Sequence, residues 1–227
     1  MNASDHSTAK YYDLIGMAFV AVVLVSTVTA QKLFALGPFT LTAGILVFPI
    51  SYIFGDVLTE VYGYARSRRI VWMGFAANLL LSLTIAAAIA LPPANGWPFQ
   101  KEFADVLGTV PRMAAASLIG YLAGEFTNSY VLAKLKLWSR GRHLWVRTIG
   151  STLAGEGVDT ILFVSIAFVG VLPASVIVST IVSGYIIKVA YEVLATPITY
   201  WVVGRLKRAE GIDVYDWHTN FNPFRLS

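Results

Sequence analysis

Cysteine is absent from the chain. That removes disulfides, thiolate nucleophiles and cysteine-bound zinc from consideration, and no redox compartment can be read. Charge is almost as scarce: Asp, Glu, Lys and Arg make up 13% of the 227 residues, against about 25% in soluble domains. Histidine is limited to His6, His143 and His218, all in tails or loops, and no HExxH occurs, which argues against an intramembrane metalloprotease. There is no P-loop for ATP. An arginine ladder and a TVGYG filter are missing too, which sets aside a voltage-gated potassium channel. Gly155-Glu-Gly157-Val-Asp-Thr160 imitates half a dinucleotide fingerprint, but no strand precedes it and it lies in an apolar run, so no such cofactor is expected.

What the chain does have is apolar sequence. Hydrophobic residues make up 56% and the mean hydropathy is +0.66, the composition of an integral membrane protein. Runs long enough to cross a bilayer, about 20 residues each, fall at 13–31, 40–61, 70–92, 111–134, 147–171 and 174–204. Turn signals separate them: Leu36-Gly37-Pro38, Tyr62-Gly63-Tyr64, Leu91-Pro92-Pro93, Ser139-Arg140-Gly141 and Leu172-Pro173. The expectation is an all-α bundle of six transmembrane helices in one membrane domain, 1–227, with a cytoplasmic tail at 205–227.

Basic residues set the orientation. The N-terminus, the second and fourth loops and the C-terminus hold 13 of the 17 Lys and Arg, among them Arg66, Arg68, Arg69, Lys134, Lys136, Arg147, Lys207 and Arg225. The opposite side holds 3, Lys32, Lys101 and Arg112, and Lys188 lies within the last span. The positive-inside rule then places both termini in the cytoplasm. The net charge of +4 is accounted for by these flanks, and no nucleic-acid partner is expected. Tyr11, Tyr12, Tyr62, Tyr64, Trp72, Trp138, Trp145 and Trp201 sit at span ends as interface anchors. Val28-Thr29-Ala30 resembles a signal-peptide cleavage site, but the N-terminal region is barely basic and the apolar run too long, so a span is expected.

Against this background the stretch FPISYIFGDVLTEVYGY, residues 48–64, stands out. Asp56 and Glu60 lie one turn apart inside a span, and Asn78, Glu125, Asn128, Glu156, Asp159, Lys188 and Glu192 are also intramembrane. A charge at the bilayer centre costs about 2.5–3.5 kcal/mol on insertion scales, so such residues face the bundle interior and mark a site or pathway. Interhelical glue is the plainer alternative for any one of them. Counted from the nearest basic residue on each helix, Asp56, Asn78, Glu125, Glu156, Asp159 and Glu192 lie 9–13 residues in, roughly 13–20 Å at about 1.5 Å per residue. A shared level predicts a shared polar chamber. The pairs at i,i+3 or i,i+4 each put both side chains on one helix face.

Six carboxylates against Lys188 cannot all stay ionised in such a chamber, so some carry protons or meet a donor-rich ligand. Lys188 is expected to pair with Glu192. Glu60, nearest the basic loop, is expected to gate the mouth or pair with the Arg66–Arg69 cluster, with Tyr52 and Tyr185 in secondary positions. Gly120-Tyr-Leu-Ala-Gly124 is a GxxxG packing face, inside the bundle or between the subunits of a homodimer.

Several blocks resemble a known family: FPISYIFGDVLTEVYGYARSRR (48–69), GEFTNSYVLAKLK (124–136), GSTLAGEGVDTILF (150–163), GYIIKVAYEVLATP (184–197) and EGIDVYDWHTNFNPF (210–224). They are similar to the YhhQ-type queuosine precursor transporters, the vitamin uptake transporter family. The resemblance implies an inner-membrane importer of a 7-deazaguanine: 7-cyano-7-deazaguanine, its aminomethyl analogue or queuine. It also implies a six-helix bundle similar to the substrate-binding subunits of energy-coupling-factor transporters. Which base is carried and what supplies the energy stay open. A guanine-like edge offers adjacent N–H donors beside a carbonyl, which a carboxylate and an ammonium or amide can meet. Two other readings are a capture subunit for a multi-component transporter and an intramembrane carboxylate enzyme using Asp56 and Asp159 as a dyad.

Overall fold

A computed structural model describes residues 9–29, 32–36, 39–108, 111–170 and 173–224. Helix α1 (Tyr12–Thr29) leads into strands β1 (Leu33–Leu36) and β2 (Phe39–Thr42), and a 3-10 turn (Ala43–Leu46) follows. Then come α2 (Phe48–Tyr62), α3 (Tyr64–Ala90), α4 (Gln100–Leu107), α5 (Pro111–Trp138), α6 (Leu144–Phe168) and α7 (Ala174–Glu210). The expected turn at Gly37-Pro38, the cleavage-like Ala30, Leu172 and Arg225 lie outside the described residues.

The all-α expectation is corrected at one place. β1 and β2 pair antiparallel, Leu33 opposite Thr42 and Leu36 opposite Phe39, so the span expected at 40–61 begins as a hairpin strand. β-branched Thr40 and Thr42 favour extended backbone. Pro49 sits at the first turn of α2, where its missing N–H costs nothing. The helix that remains has 15 residues, about 22 Å at 1.5 Å per residue.

Among the described residues four helices, α1, α3, α6 and α7, are long and apolar enough to cross a membrane. The two expected spans that fall short, α2 and α5, are central. Eleven of the residues of α2 are buried, and α5 carries the buried Glu125, Asn128 and Ser129 in its middle. Lipid-facing helices must be apolar, whereas a helix enclosed by others is free to be polar. Leu80 and Leu83 on α3 and Ile186, Leu194 and Ile198 on α7 are exposed, as an outer surface in hydrocarbon requires.

The helix ends interlock at one end of the bundle. Glu210, closing α7, accepts from the backbone N–H groups of Lys10 (2.9 Å) and Tyr11 (2.7 Å) just before α1, and from the Tyr62 hydroxyl at the end of α2 (2.7 Å). Tyr12 donates to the carbonyl of Arg66 in α3. A buried hydroxyl triad ties α2, α3 and α5: Thr59 to Ser67 at 2.9 Å and to Ser129 at 3.2 Å, with Ser67 and Ser129 also at 3.2 Å. Beside it Phe19, Val57, Leu58, Val61, Ile70 and Tyr121 form an apolar core. Tyr62 and Tyr64 belong to this interior, both buried, and so are not interface anchors. Tyr11, Trp138, Trp145 and Trp201 are exposed, as anchors should be.

The tail is shorter than expected and is not loose. Helix α7 runs on to Glu210, its last turn carrying Lys207 and Arg208 against the negative end of the helix dipole. Gly211, at φ +67°, supplies the left-handed residue that ends it. From there the chain straps back over α2, α3 and α5. Val214 N–H donates to Val61 O. Arg68 Nη1 reaches the carbonyls of Asn220 (2.8 Å) and Asn222 (2.7 Å), and Trp72 Nε1 that of Pro223 (2.8 Å).

Asp216 accepts from the Tyr64 N–H with both oxygens, at 3.1 and 3.2 Å, and so caps α3 from a distance in sequence. Gly63 allows this approach: its φ is +83°, and a Cβ there would lie 2.6 Å from Val214 Cγ1. Partial burial works against the Asp213 charge, but hydrogen bonds from Lys136 and Lys207 outweigh it and hold the carboxyl below its usual range. Asp216→Ala is expected to cost about 1–2 kcal/mol, the loss of a good cap. Thermal unfolding in detergent checks this, and an unchanged midpoint would mean the strap does not clamp α3.

Candidate functional site

Two polar clusters occupy the interior, one helical turn apart along α2. The one nearer the basic end is built on Glu60, which is fully buried. Arg147 grips it with both arms of its guanidinium, Nη2 at 2.7 Å and Nε at 2.9 Å. Lys207 Nζ lies 2.6 Å from the same carboxylate and Lys136 Nζ 3.7 Å. Lys136 and Lys207 also bind Asp213 of the strap, at 2.6 and 2.9 Å. Glu60 therefore pairs with α5, α6 and α7, not with the Arg66–Arg69 cluster. Sequence proximity suggested the nearer cations, but those lie beyond the turn at Gly63 and face elsewhere. Lys136 and Arg147, counted above as loop charges, are buried members of this cluster.

One turn deeper lies the layer expected from the depth count. Asp56 on α2 accepts from Asn128 Nδ2 on α5 at 2.8 Å and lies 3.5 Å from Ser151 Oγ on α6. Lys188 on α7 reaches α6: Asp159 Oδ2 at 2.6 Å, Glu156 Oε2 at 2.8 Å and Thr160 Oγ1 at 3.3 Å. Its ammonium also lies 4.7 Å from the centre of the Phe48 ring. The expected Lys188–Glu192 pair is not formed. An i,i+4 spacing puts both on one face of α7, but the lysine stem carries its charge across to two carboxylates on α6.

Glu192 and Glu125 are buried, and neither carboxylate oxygen of either makes a hydrogen bond among the described residues. The same holds for Asp56 Oδ2, Asn128 Oδ1, Thr152 Oγ1 and the Tyr52 hydroxyl. Asn78 on α3 is buried with its side-chain oxygen likewise unbonded, and no hydrogen bond joins it to the acids. Tyr185 stands at the edge of the layer and donates to Leu153 O at 3.2 Å, bridging α7 to α6. Asp56 and Asp159 have separate partners, so the proton-sharing dyad is not formed.

Glycines bring these helices together. A Cβ on Gly124 would lie 2.7 Å from Asp159 Cβ and 3.1 Å from Gly155 O. One on Gly155 would lie 2.8 Å from Asn128 Cβ and 2.9 Å from Gly124 O, and one on Gly55 3.0 Å from Glu125 Oε2. The GxxxG face of α5 is thus spent on α6 inside the bundle. Gly124→Ala meets backbone and Cβ atoms that cannot rotate away. It is expected to cost about 1–3 kcal/mol through overpacking and to lower the thermal midpoint in detergent; an unshifted midpoint would show a looser seam.

In this conformation the layer is closed, its acids at most a few per cent exposed. Lys188, with an 18% exposed side chain, marks its most accessible edge. A groove of about 230 Å³ beside the strap, between Tyr64 and Tyr130, and one of about 280 Å³ between α1 and α7 lie on the outside of the bundle, away from it. Sequence reasoning missed Ser151, Thr152 and Thr160 in the layer, and the Glu60–Arg147 pairing. The hydroxyls carried a signal, since they recur through GSTLAGEGVDT (150–160) among the acids; the pairing carried none.

The family described as "Putative vitamin uptake transporter" matches residues 42–202, more than half of the chain. The chain belongs to that family. It contains both buried clusters within the matched region apart from Lys207 and the strap. The chain is 32% identical over 187 residues to a "Probable queuosine precursor transporter" of Bacillus subtilis, covering 82% of this chain and 80% of that protein. It is 28% identical over 130 residues to the "Queuosine precursor transporter" of Escherichia coli, with 57% and 56% covered. A "Probable queuosine precursor transporter" of Haemophilus influenzae is 30% identical over 145 residues, with 60% and 58% covered. No solved structure matches the chain. This vitamin uptake transporter family member is a multi-pass membrane protein and not an enzyme.

Proposed function

We propose that the chain imports queuosine precursors, 7-deazaguanine bases, across the bacterial inner membrane through the buried layer. The observation that carries the reading is a set of enclosed polar atoms: Asp56 Oδ2, Asn128 Oδ1, Thr152 Oγ1 and the Tyr52 hydroxyl stand buried without hydrogen bonds among the described residues, beside a Lys188 already held by Glu156 and Asp159. Buried polar groups are almost always satisfied, so such a set suits a flat cargo rich in donors.

Asp56 and Glu156 accept the ring N–H and exocyclic amine, Lys188 and Asn128 donate toward the carbonyl, and Tyr52 and Phe48 flank the ring. Asp159 holds Lys188 in place, and Asn78 orients the edge from α3. The single domain has six spans, α1, α2, α3, α5, α6 and α7, in the arrangement of energy-coupling-factor capture subunits. The end where Glu210 meets Lys10 and Tyr11 is cytoplasmic, in keeping with its excess of basic residues.

The test is uptake of radiolabelled 7-cyano-7-deazaguanine by cells lacking the synthetic pathway. Gene-dependent accumulation is expected, and accumulation equal to that of the empty strain would remove the assignment.

A further inference from the structure

Two acids of the layer are surplus to base recognition. Glu125 on α5 is fully buried and Glu192 on α7 is 2% exposed, and all four of their oxygens lack hydrogen bonds among the described residues. Glu125 is faced by Tyr52 and Asp56 from α2, Glu156 and Asp159 from α6, and Tyr121 on its own helix. None of these is a cation. Glu192 is faced by Glu156 from α6 and Asp56 from α2. Lys188, one turn before it, is taken up by Glu156 and Asp159.

We propose that Glu125 and Glu192 carry the protons of a proton-coupled uptake cycle, binding them as the layer closes and releasing them as it opens. This rests on the importer reading above and adds its energy source. The reasoning is one of linkage. Enclosing an ionised carboxylate without a counter-charge costs several kcal/mol even after relaxation, and the group takes a proton instead. Closure of the layer over the base, which excludes water, therefore draws protons from the side it was open to, and protonation in turn favours closure by the same factor. The empty layer returns with water in place of the base, its acids ionised, and carries no protons back.

When the layer next opens to the other side, water reaches the two acids again and the protons leave there with the cargo. Glu156 and Asp159 are left out of this step, because each already has the Lys188 ammonium within 2.8 Å. No covalent bond forms or breaks; each proton moves from outer water to a carboxylate oxygen and on to inner water.

The experiment uses the purified full-length chain in liposomes holding a pH-sensitive dye, with radiolabelled 7-cyano-7-deazaguanine outside. The expected result is interior acidification on adding the base. An inward gradient of one pH unit should then give about tenfold accumulation per coupled proton. Glu125→Gln, a permanent mimic of the protonated acid, should still exchange labelled for unlabelled base. Its acidification should fall, and its accumulation should drop toward equal concentrations inside and out.

Glu192→Gln gives the same reading independently where Glu125→Gln does not fold. Wild-type exchange without acidification or gradient-driven accumulation overturns the proposal and leaves the importer standing. So does wild-type acidification in both variants. Absence of exchange in the wild type removes the importer reading itself, and this proposal with it.

Discussion

Glu60→Gln is expected to be the most damaging single change in the protein, costing about 3–5 kcal/mol. The carboxylate is fully buried and faces Arg147 at 2.7 Å, Lys207 at 2.6 Å and Lys136 at 3.7 Å. A neutral amide cannot accept from both arms of the guanidinium and also offset three cations. The strap's Asp213 remains, but it lies near Lys136 and Lys207 and is 42% exposed. Since whole domains are stable by about 5–15 kcal/mol, such a loss should show as aggregated or unrecoverable protein in detergent. The companion change Glu60→Leu with Arg147→Met removes the tightest pair together and should recover part of the thermal midpoint, because uncompensated charge costs more than its absence. A midpoint for Glu60→Gln within a degree of wild type would show that the cluster is not a structural keystone.

Lys188→Met is the second large effect, and it falls on transport. The ammonium is shared by Asp159 at 2.6 Å and Glu156 at 2.8 Å. Methionine keeps the length of the stem but strips both acids of their counter-charge. Uptake is expected to fall at least about 100-fold, the transport equivalent of breaking a buried pair. Lys188→Met with Asp159→Asn should regain thermal stability relative to the single change while uptake stays low. Measured uptake within twofold of wild type for Lys188→Met would take the lysine out of the site.

The depth count used a physical ruler: Asp56, Asn78, Glu125, Glu156, Asp159 and Glu192, on five helices, lie 9–13 positions from a basic residue. All six are buried, but among the described residues no hydrogen bond joins Asn78 to the acids. Pairing was not legible. A spacing of three or four residues says which side chains share a face, not which neighbouring helix that face meets. Hence the sequence alone pairs Lys188 with Glu192 rather than with α6, and Glu60 with Arg66–Arg69 rather than with Arg147, 87 positions along the chain.

The hairpin was hidden because Leu33–Thr42 is apolar and apolarity alone does not separate a short strand from a helix start. The strap had a readable signature in retrospect. EGIDVYDWHTNFNPF is rich in Asp, Asn and aromatics, unlike a solvated basic tail, and those residue types supply backbone-directed contacts and ring packing.

The seam between α5 and α6 has a consequence for how the molecule moves. Gly120, Gly124 and Gly155 let the two backbones touch, and van der Waals contact this intimate yields poorly to sliding or tilting. The pair should behave as one stiff beam. The buried Glu60 cluster fixes α2 to α6 and α7 at one end, so rocking during a turnover falls to the other end of α2 and α7, held to the beam there by Asp56 to Asn128 and Lys188 to Glu156 and Asp159.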